Sequence, residues 1–179
     1  MERVKLEKGI VQVYTGEGKG KTTAACGLAI RAAGNGLKVC FFQFFKKPIS
    51  GELKVLKRDK NIEIHSILPS YQSSRHLSKG EFLSFKKKLM KEWKYVCKNV
   101  QSEKFDVVIL DEILIAIRDK FLPEEEIIKL MKSKPERVEL IITGRGMTEN
   151  IEKNADLVTE MRLIKHPFPE IKARKGIEF

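Results

Sequence analysis

The stretch Thr15-Gly16-Glu17-Gly18-Lys19-Gly20-Lys21-Thr22-Thr23 constrains this chain more than any other. The apolar run Ile10-Val11-Gln12-Val13-Tyr14 precedes it, and Ala24-Ala25-Cys26-Gly27-Leu28-Ala29 follows. That order is strand, glycine-rich loop, helix, the context in which a phosphate-binding P-loop works. Glycines reach backbone angles closed to other residues, so successive N–H groups can converge on one anion. The helix adds the partial positive charge of its N-terminus. Lys21 is placed to lie against terminal phosphates, and the Thr22 hydroxyl to ligate Mg²⁺. The usual pattern is G-x-x-x-x-G-K-[ST]; here Thr15 stands at the first glycine position and Gly16 one place later. The bland alternative is a glycine-rich turn without a ligand. It explains neither the Lys-Thr pair nor the strand and helix around it.

The chain, with 179 residues, is expected to form one domain spanning 1–179, long enough to bury a core without staples. No apolar run approaches the roughly 20 residues of a membrane span, and the N-terminus lacks a signal-peptide core. Cys26, Cys40 and Cys97 are odd in number and widely spaced. They read as buried thiols of a cytoplasmic protein rather than as disulfides or metal ligands. The net charge of +11 admits a nucleic-acid partner, a polyphosphate substrate or a solvated lysine-rich surface. The lysines are dispersed and few aromatics interleave with them, so a solvated surface around a phosphate site is favoured and nucleic acid is not.

Beyond the loop, a helix is expected over residues 21–33, ended by Gly34-Asn35-Gly36. Lys38 to Phe45 is apolar almost throughout, as in a parallel strand covered on both faces. A short helix over 53–58 and an alternating strand nearer an edge over Ile62 to Ile67 follow. Leu68 to Ser78 is a polar loop. Phe82, Phe85, Leu89, Trp93, Val96 and Val100 recur at steps of three and four, the apolar stripe of a long helix, in which Trp93 and Phe85 are core. Phe105 to Glu112 is a strand ending in two carboxylates, with a helix from about Ile113 and another from Pro123. A strand over 137–143 ends in Thr143-Gly144-Arg145-Gly146. A short helix at 149–153, a strand at 157–161 and a basic, turn-rich tail complete the chain.

Strands alternating with helices predict an α/β fold: a three-layer, RecA-like P-loop NTPase arrangement with a mainly parallel central sheet. Ligands of such sheets bind at the carboxyl ends of the strands. The loop, Gln43 to Lys46, Asp111-Glu112 and Thr143-Gly144-Arg145 all fall at such ends. Leu110-Asp111-Glu112 resembles a Walker B segment, so Thr22, Asp111 and Glu112 are the candidate metal ligands, for Mg²⁺ or Mn²⁺. Glu112 could instead polarise a water, as in an ATPase. Two acids capping the next helix are the plainer reading and are compatible with metal binding. Arg145 is a candidate for neutralising phosphate charge, or a surface arginine in a turn. His65, His76 and His166 show no metal-ligand spacing.

The chain resembles the P-loop type of ATP:corrinoid (cob(I)alamin) adenosyltransferases along nearly its whole length. The resemblance rests on Thr15 to Ala25, Arg31, Gln43-Phe44-Phe45-Lys46 with Gly51-Glu52, Leu110-Asp111-Glu112, Thr143-Gly144-Arg145 and the ending Lys165-His166-Pro167-Phe168 … Lys175-Gly176-Ile177-Glu178-Phe179. It implies a transferase in which Co(I) of a reduced corrinoid attacks the 5′ carbon of ATP and triphosphate leaves. Such a displacement needs positioning and charge neutralisation rather than a general base. Lys21, Glu112 and Arg145 would then be catalytic. Gly16, Glu17, Gly18, Lys19, Gly20, Lys21, Thr22, Thr23, Arg31, Gln43 and Lys46 would bind the nucleotide. An electron-donor flavoprotein and a homodimer are also implied. Two positions depart from the family: Glu17 stands where Asn is frequent, and Leu68 to Ser78 has Tyr71 but no tryptophan. The readings weighed against adenosyl transfer are a P-loop ATPase or kinase using Asp111-Glu112, and a nucleic-acid-binding module that uses ATP as a switch.

Overall fold

The computed structural model describes residues 4–47, 50–70 and 74–177. The elements run β1 (Val11–Thr15), α1 (Lys21–Gly34), β2 (Val39–Phe44), α2 (Gly51–Leu56), β3 (Ile62–Ile67), α3 (Lys79–Gln101), β4 (Val107–Asp111), α4 (Leu114–Arg118), α5 (Glu124–Ser133), β5 (Glu139–Thr143), α6 (Glu149–Asn154) and β6 (Leu157–Glu160). The strands form one sheet in the order β3-β2-β4-β5-β1-β6, and every neighbouring pair is parallel. The expected α/β, RecA-like arrangement is what forms, with a sheet that is wholly rather than mainly parallel.

Side-chain alternation divides the interior in two. Phe41, Ile109 and Ile141 point to the face covered by α1 and α2. Phe42, Leu110 and Ile142, one residue on, point to the face covered by α3, α4 and α5. A strand buried on both faces reads as a continuous apolar run, and all of β2 is buried. Helix α1 comes close to the sheet because its inward face is Ala25, Ala29, Ala32 and Ala33. Helix α3 starts at a capping box in which Ser78 Oγ accepts from Glu81 N and the Glu81 carboxylate accepts from Ser78 N. Its buried residues Leu89, Trp93, Val96 and Val100 are those of the expected stripe, while Phe85 is half-buried. The thiols Cys26 and Cys40 are buried, but Cys97 is only partly so, because it flanks that stripe.

Boundaries shift where side chains intervene. Strand β4 begins at Val107 rather than Phe105, because Asp106 turns its carboxylate to accept from Lys38 N at 2.7 Å. Helix α2 begins at Gly51, two residues before the expected start. The Leu68–Ser78 loop contains one 3₁₀ turn at Ser74–His76, and Tyr71 lies outside the described residues. For the site, the important feature of the order is that β5 separates β1 from β4. The helix after the loop thereby crosses over the sheet and sets its first turn above the end of β4.

Candidate functional site

The glycines of the loop answer two needs. Gly16 and Gly20 have φ of 97° and 118°, which an L side chain rarely adopts. Gly18 serves close approach: a Cβ there would lie 2.5 Å from the Met161 carbonyl oxygen. That oxygen accepts from Gly18 N at 2.6 Å, and Met161 N donates to the Thr15 carbonyl at 2.8 Å. The segment after β6 thus laces the outer side of the loop. Lys21 is buried, with Nζ donating to the Gly16 carbonyl at 2.6 Å and the Gly18 carbonyl at 2.8 Å. Burial pulls its pKa below the ordinary lysine value, Arg145 adds repulsion, and Glu112 opposes both. Such a cation gains from an anion brought to the loop.

Four elements meet at the neighbouring strand ends. Asp111, fully buried at the end of β4, accepts at Oδ1 from Thr22 Oγ1 (2.9 Å) and Thr143 Oγ1 (2.8 Å). Thr143 Oγ1 also accepts from Glu112 N at 2.9 Å. Glu112 turns the strand into α4 with φ of 68°, and Phe45 turns β2 into its loop with φ of 62°. That second turn brings Lys46 over the carboxylates. Its Nζ lies 3.0 Å from Glu112 Oε1 and 3.6 Å from Asp111 Oδ2, and it donates to Thr22 Oγ1 at 3.1 Å. Burial lowers the affinity of Lys46 for its proton, but Asp111 and Glu112 together outweigh it and hold its pKa above the usual value. Burial pushes the Asp111 carboxyl up, and Lys46 only partly offsets this.

This oxygen set, two carboxylates and a hydroxyl, suits a hard cation. Asp111 Oδ2 is buried without a hydrogen-bond partner, as are Oε1 and Nε2 of Gln43. Gln43 is in register with Asp111 on the adjacent strand. Orphaned polar atoms at this depth are what a hydrated ion would satisfy. Among the described residues no three His, Cys, Asp or Glu side chains gather into a metal site, and the set here has two carboxylates and a hydroxyl.

Of the other expected residues, Arg145 reaches the loop, where its Nε lies 3.2 Å from Glu17 Oε2 and its Nη2 donates to the Glu17 carbonyl at 3.3 Å. The Glu17 carboxylate is thus matched with a cation at the mouth of the loop. Thr23 is exposed on the first turn of α1, and Lys19 Nζ donates to the Ile177 carbonyl at 3.2 Å. Arg31 is exposed in the last turn of α1, about 15 Å along the helix from Lys21, and is not drawn into the cluster. Thr143 is a site residue that the sequence motifs do not single out. The signal for it was a hydroxyl closing a buried strand just before glycine. Beside Gly18 and Lys19 opens a cavity of about 680 Å³, walled by Leu163, Ile164, His166, Phe168 and Ile171 of the tail. That is within the size range of small-molecule sites.

A family described as ATP:corrinoid adenosyltransferase BtuR/CobO/CobP matches residues 7–179. A corrinoid adenosyltransferase of Escherichia coli (strain K12) is 33% identical over 174 residues, 97% of this chain and 87% of that protein. Corrinoid adenosyltransferase CobA of Salmonella typhimurium is equally similar, at 33% over 97% of this chain and 87% of that one. Among solved structures, a KaiC-like protein of Pyrococcus horikoshii superposes with a TM-score of 0.56 at 16% identity, over 89% of this chain and 81% of that one. The flagellar accessory protein FlaH of Methanocaldococcus jannaschii gives 0.54 at 15%, over 88% and 72%. At such identities these two bear on the fold alone. Since the family match runs from before the loop to the end of the tail, the chain belongs to the ATP:corrinoid adenosyltransferase family.

Proposed function

We propose that this chain, acting as one domain, transfers the 5′-deoxyadenosyl group of ATP to the Co(I) of a reduced corrinoid and releases triphosphate. The lone pair of Co(I) forms the Co–C5′ bond. The C5′–O bond breaks and its electrons leave on the triphosphate, so cobalt ends formally as Co(III). The observation that supports this reading best is the family match across residues 7–179 on a site made of phosphate-facing cations and hard oxygens. The family match and the corrinoid adenosyltransferases similar to this chain favour transfer over the ATPase reading.

In this account Lys21 and the loop N–H groups receive the triphosphate, and Lys21 exchanges its carbonyl partners for phosphate oxygens. Arg145 adds charge at the loop mouth and holds Glu17 away from it. Thr22, Asp111 and Glu112 would hold Mg²⁺ or Mn²⁺, which when bound would neutralise charge on the departing oxygens. Gln43 lies beside the same carboxylates, in register with Asp111. Arg31 would assist from the far end of α1 only through the nucleotide or a neighbouring molecule. Co(I) requires a reductant, for which an electron-donor flavoprotein is the fitting class, and the working form would be a cytoplasmic homodimer. No helix among the described residues is long and apolar enough to cross a membrane. The test is anaerobic incubation with MgATP and chemically reduced cobalamin. A light-sensitive adenosyl–cobalt spectrum is expected; an unchanged corrinoid spectrum would contradict the proposal.

A further inference from the structure

We infer that the Lys46 ammonium and the divalent cation occupy the same oxygen pocket in turn, so that metal binding expels Lys46. This rests on the metal reading given above and assigns Lys46 a part in it. The ammonium sits among Thr22 Oγ1 at 3.1 Å, Glu112 Oε1 at 3.0 Å and Asp111 Oδ2 at 3.6 Å. These are the three side chains that would ligate the ion. A lysine nitrogen and a metal ion cannot share that space.

The ammonium is also an incomplete occupant. Its distance from Asp111 Oδ2 is beyond a hydrogen bond, and that buried oxygen is left with no donor. Gln43, in register with Asp111, has both amide atoms unpartnered and buried. A dication draws oxygens to about 2.1 Å and keeps several waters, which would satisfy both groups. The lysine is built to leave. Its backbone is pinned, with Ser66 Oγ donating to the Lys46 carbonyl at 3.2 Å and Phe45 N donating to the Ile67 carbonyl at 2.9 Å. Its side chain is 41% exposed on a flexible four-carbon stem. Expelled toward the loop side, the amine becomes a further cation beside Thr22, where the nucleotide phosphates would lie. Lys46 is thus a positioning residue that neutralises the two carboxylates until the metal replaces it.

The test is Mn²⁺ titration of wild type and Lys46→Met without nucleotide, followed by the loss of the free-ion electron paramagnetic resonance signal. Removing a partly exposed competing charge should tighten Mn²⁺ binding roughly five- to tenfold in the variant. In wild-type protein, acylation of Lys46 by a water-soluble amine reagent, read by mass spectrometry, should rise at saturating Mn²⁺. This second readout does not depend on how the variant folds. Equal or weaker Mn²⁺ binding by Lys46→Met, or Lys46 labelling that metal does not change, would overturn the exchange while leaving the metal site standing. Absence of Mn²⁺ binding by both proteins, with or without ATP, would overturn the metal reading and the exchange together.

Discussion

Replacing Thr143 with valine should separate the hydrogen-bonding role of this residue from its packing. The side chain is fully buried, and valine reproduces its shape, so no cavity forms. Two bonds are lost: the donation to Asp111 Oδ1 at 2.8 Å and the acceptance from Glu112 N at 2.9 Å. A hydrogen bond to a carboxylate is worth about 1.5–3 kcal/mol, and one from a backbone N–H about 1 kcal/mol. The expected loss is therefore about 3 kcal/mol, or roughly 6–12 °C in Tm for a chain of this size. Thr143→Ser keeps the hydroxyl and should cost only about 1 kcal/mol for the missing methyl. Urea unfolding of both variants measures the difference. The effect should also depend on pH. Burial raises the folded-state pKa of Asp111 above its unfolded value, and the bond from Thr143 opposes that rise. The ionised form is the one that needs the donor, so the loss is largest above the folded pKa and shrinks as pH falls through it. A Thr143→Val protein within about 0.5 kcal/mol of wild type, or Thr143→Ser as damaging as Thr143→Val, would refute the reasoning.

Lys21→Ala should abolish ATP use while leaving the circular dichroism spectrum of wild type; retained turnover would remove the loop lysine from the mechanism. Glu17→Gln frees Arg145 from a largely exposed pair and should lower KM for ATP about two- to fivefold, with unchanged or higher KM as the contrary result. Gly18→Ala forces a Cβ against the Met161 carbonyl, so the segment after β6 must move off the loop, at a cost of about 1–3 kcal/mol and a raised KM for ATP. A wild-type Tm would show that the contact is dispensable. Burial pushes the thiols of Cys26 and Cys40 up to about 12 and that of Cys97 up to about 11. Native protein at pH 8 should therefore resist a disulfide reagent, Cys97 reacting first, whereas urea-unfolded protein should titrate three thiols at once.

What could be read from the sequence was what local chemistry determines. The loop, its helix, the all-apolar β2 and the Asp111-Glu112 strand end each carry their signal within a few neighbouring residues. The edge position of β3 was legible too, although its clean alternation is not. Glu63, Ile64, His65 and Ser66 are all half-buried, with His65 stacked on Phe42 and beside Tyr95 of α3. The unread part arises from tertiary convergence. A hydroxyl closing β5 just before glycine marks Thr143 as a candidate, but that it bridges Asp111 and Glu112 follows only from β5 lying beside β4. The pairing of Glu17 with Arg145, and of Lys46 with the carboxylates, joins segments that only the strand order brings together. The lacing of Met161 across the loop uses backbone atoms, so its trace in residue identity is the glycine at position 18 and not Met161 itself.

The most direct measurement is the phosphorus product of the reaction, followed by ³¹P NMR in an anaerobic sample holding MgATP and an excess of reduced cobalamin. The account predicts intact triphosphate, formed one for one with adenosylated corrinoid and absent when the corrinoid is left out. Formation of ADP and phosphate at a rate indifferent to the corrinoid would contradict it and assign the Asp111-Glu112 end to hydrolysis.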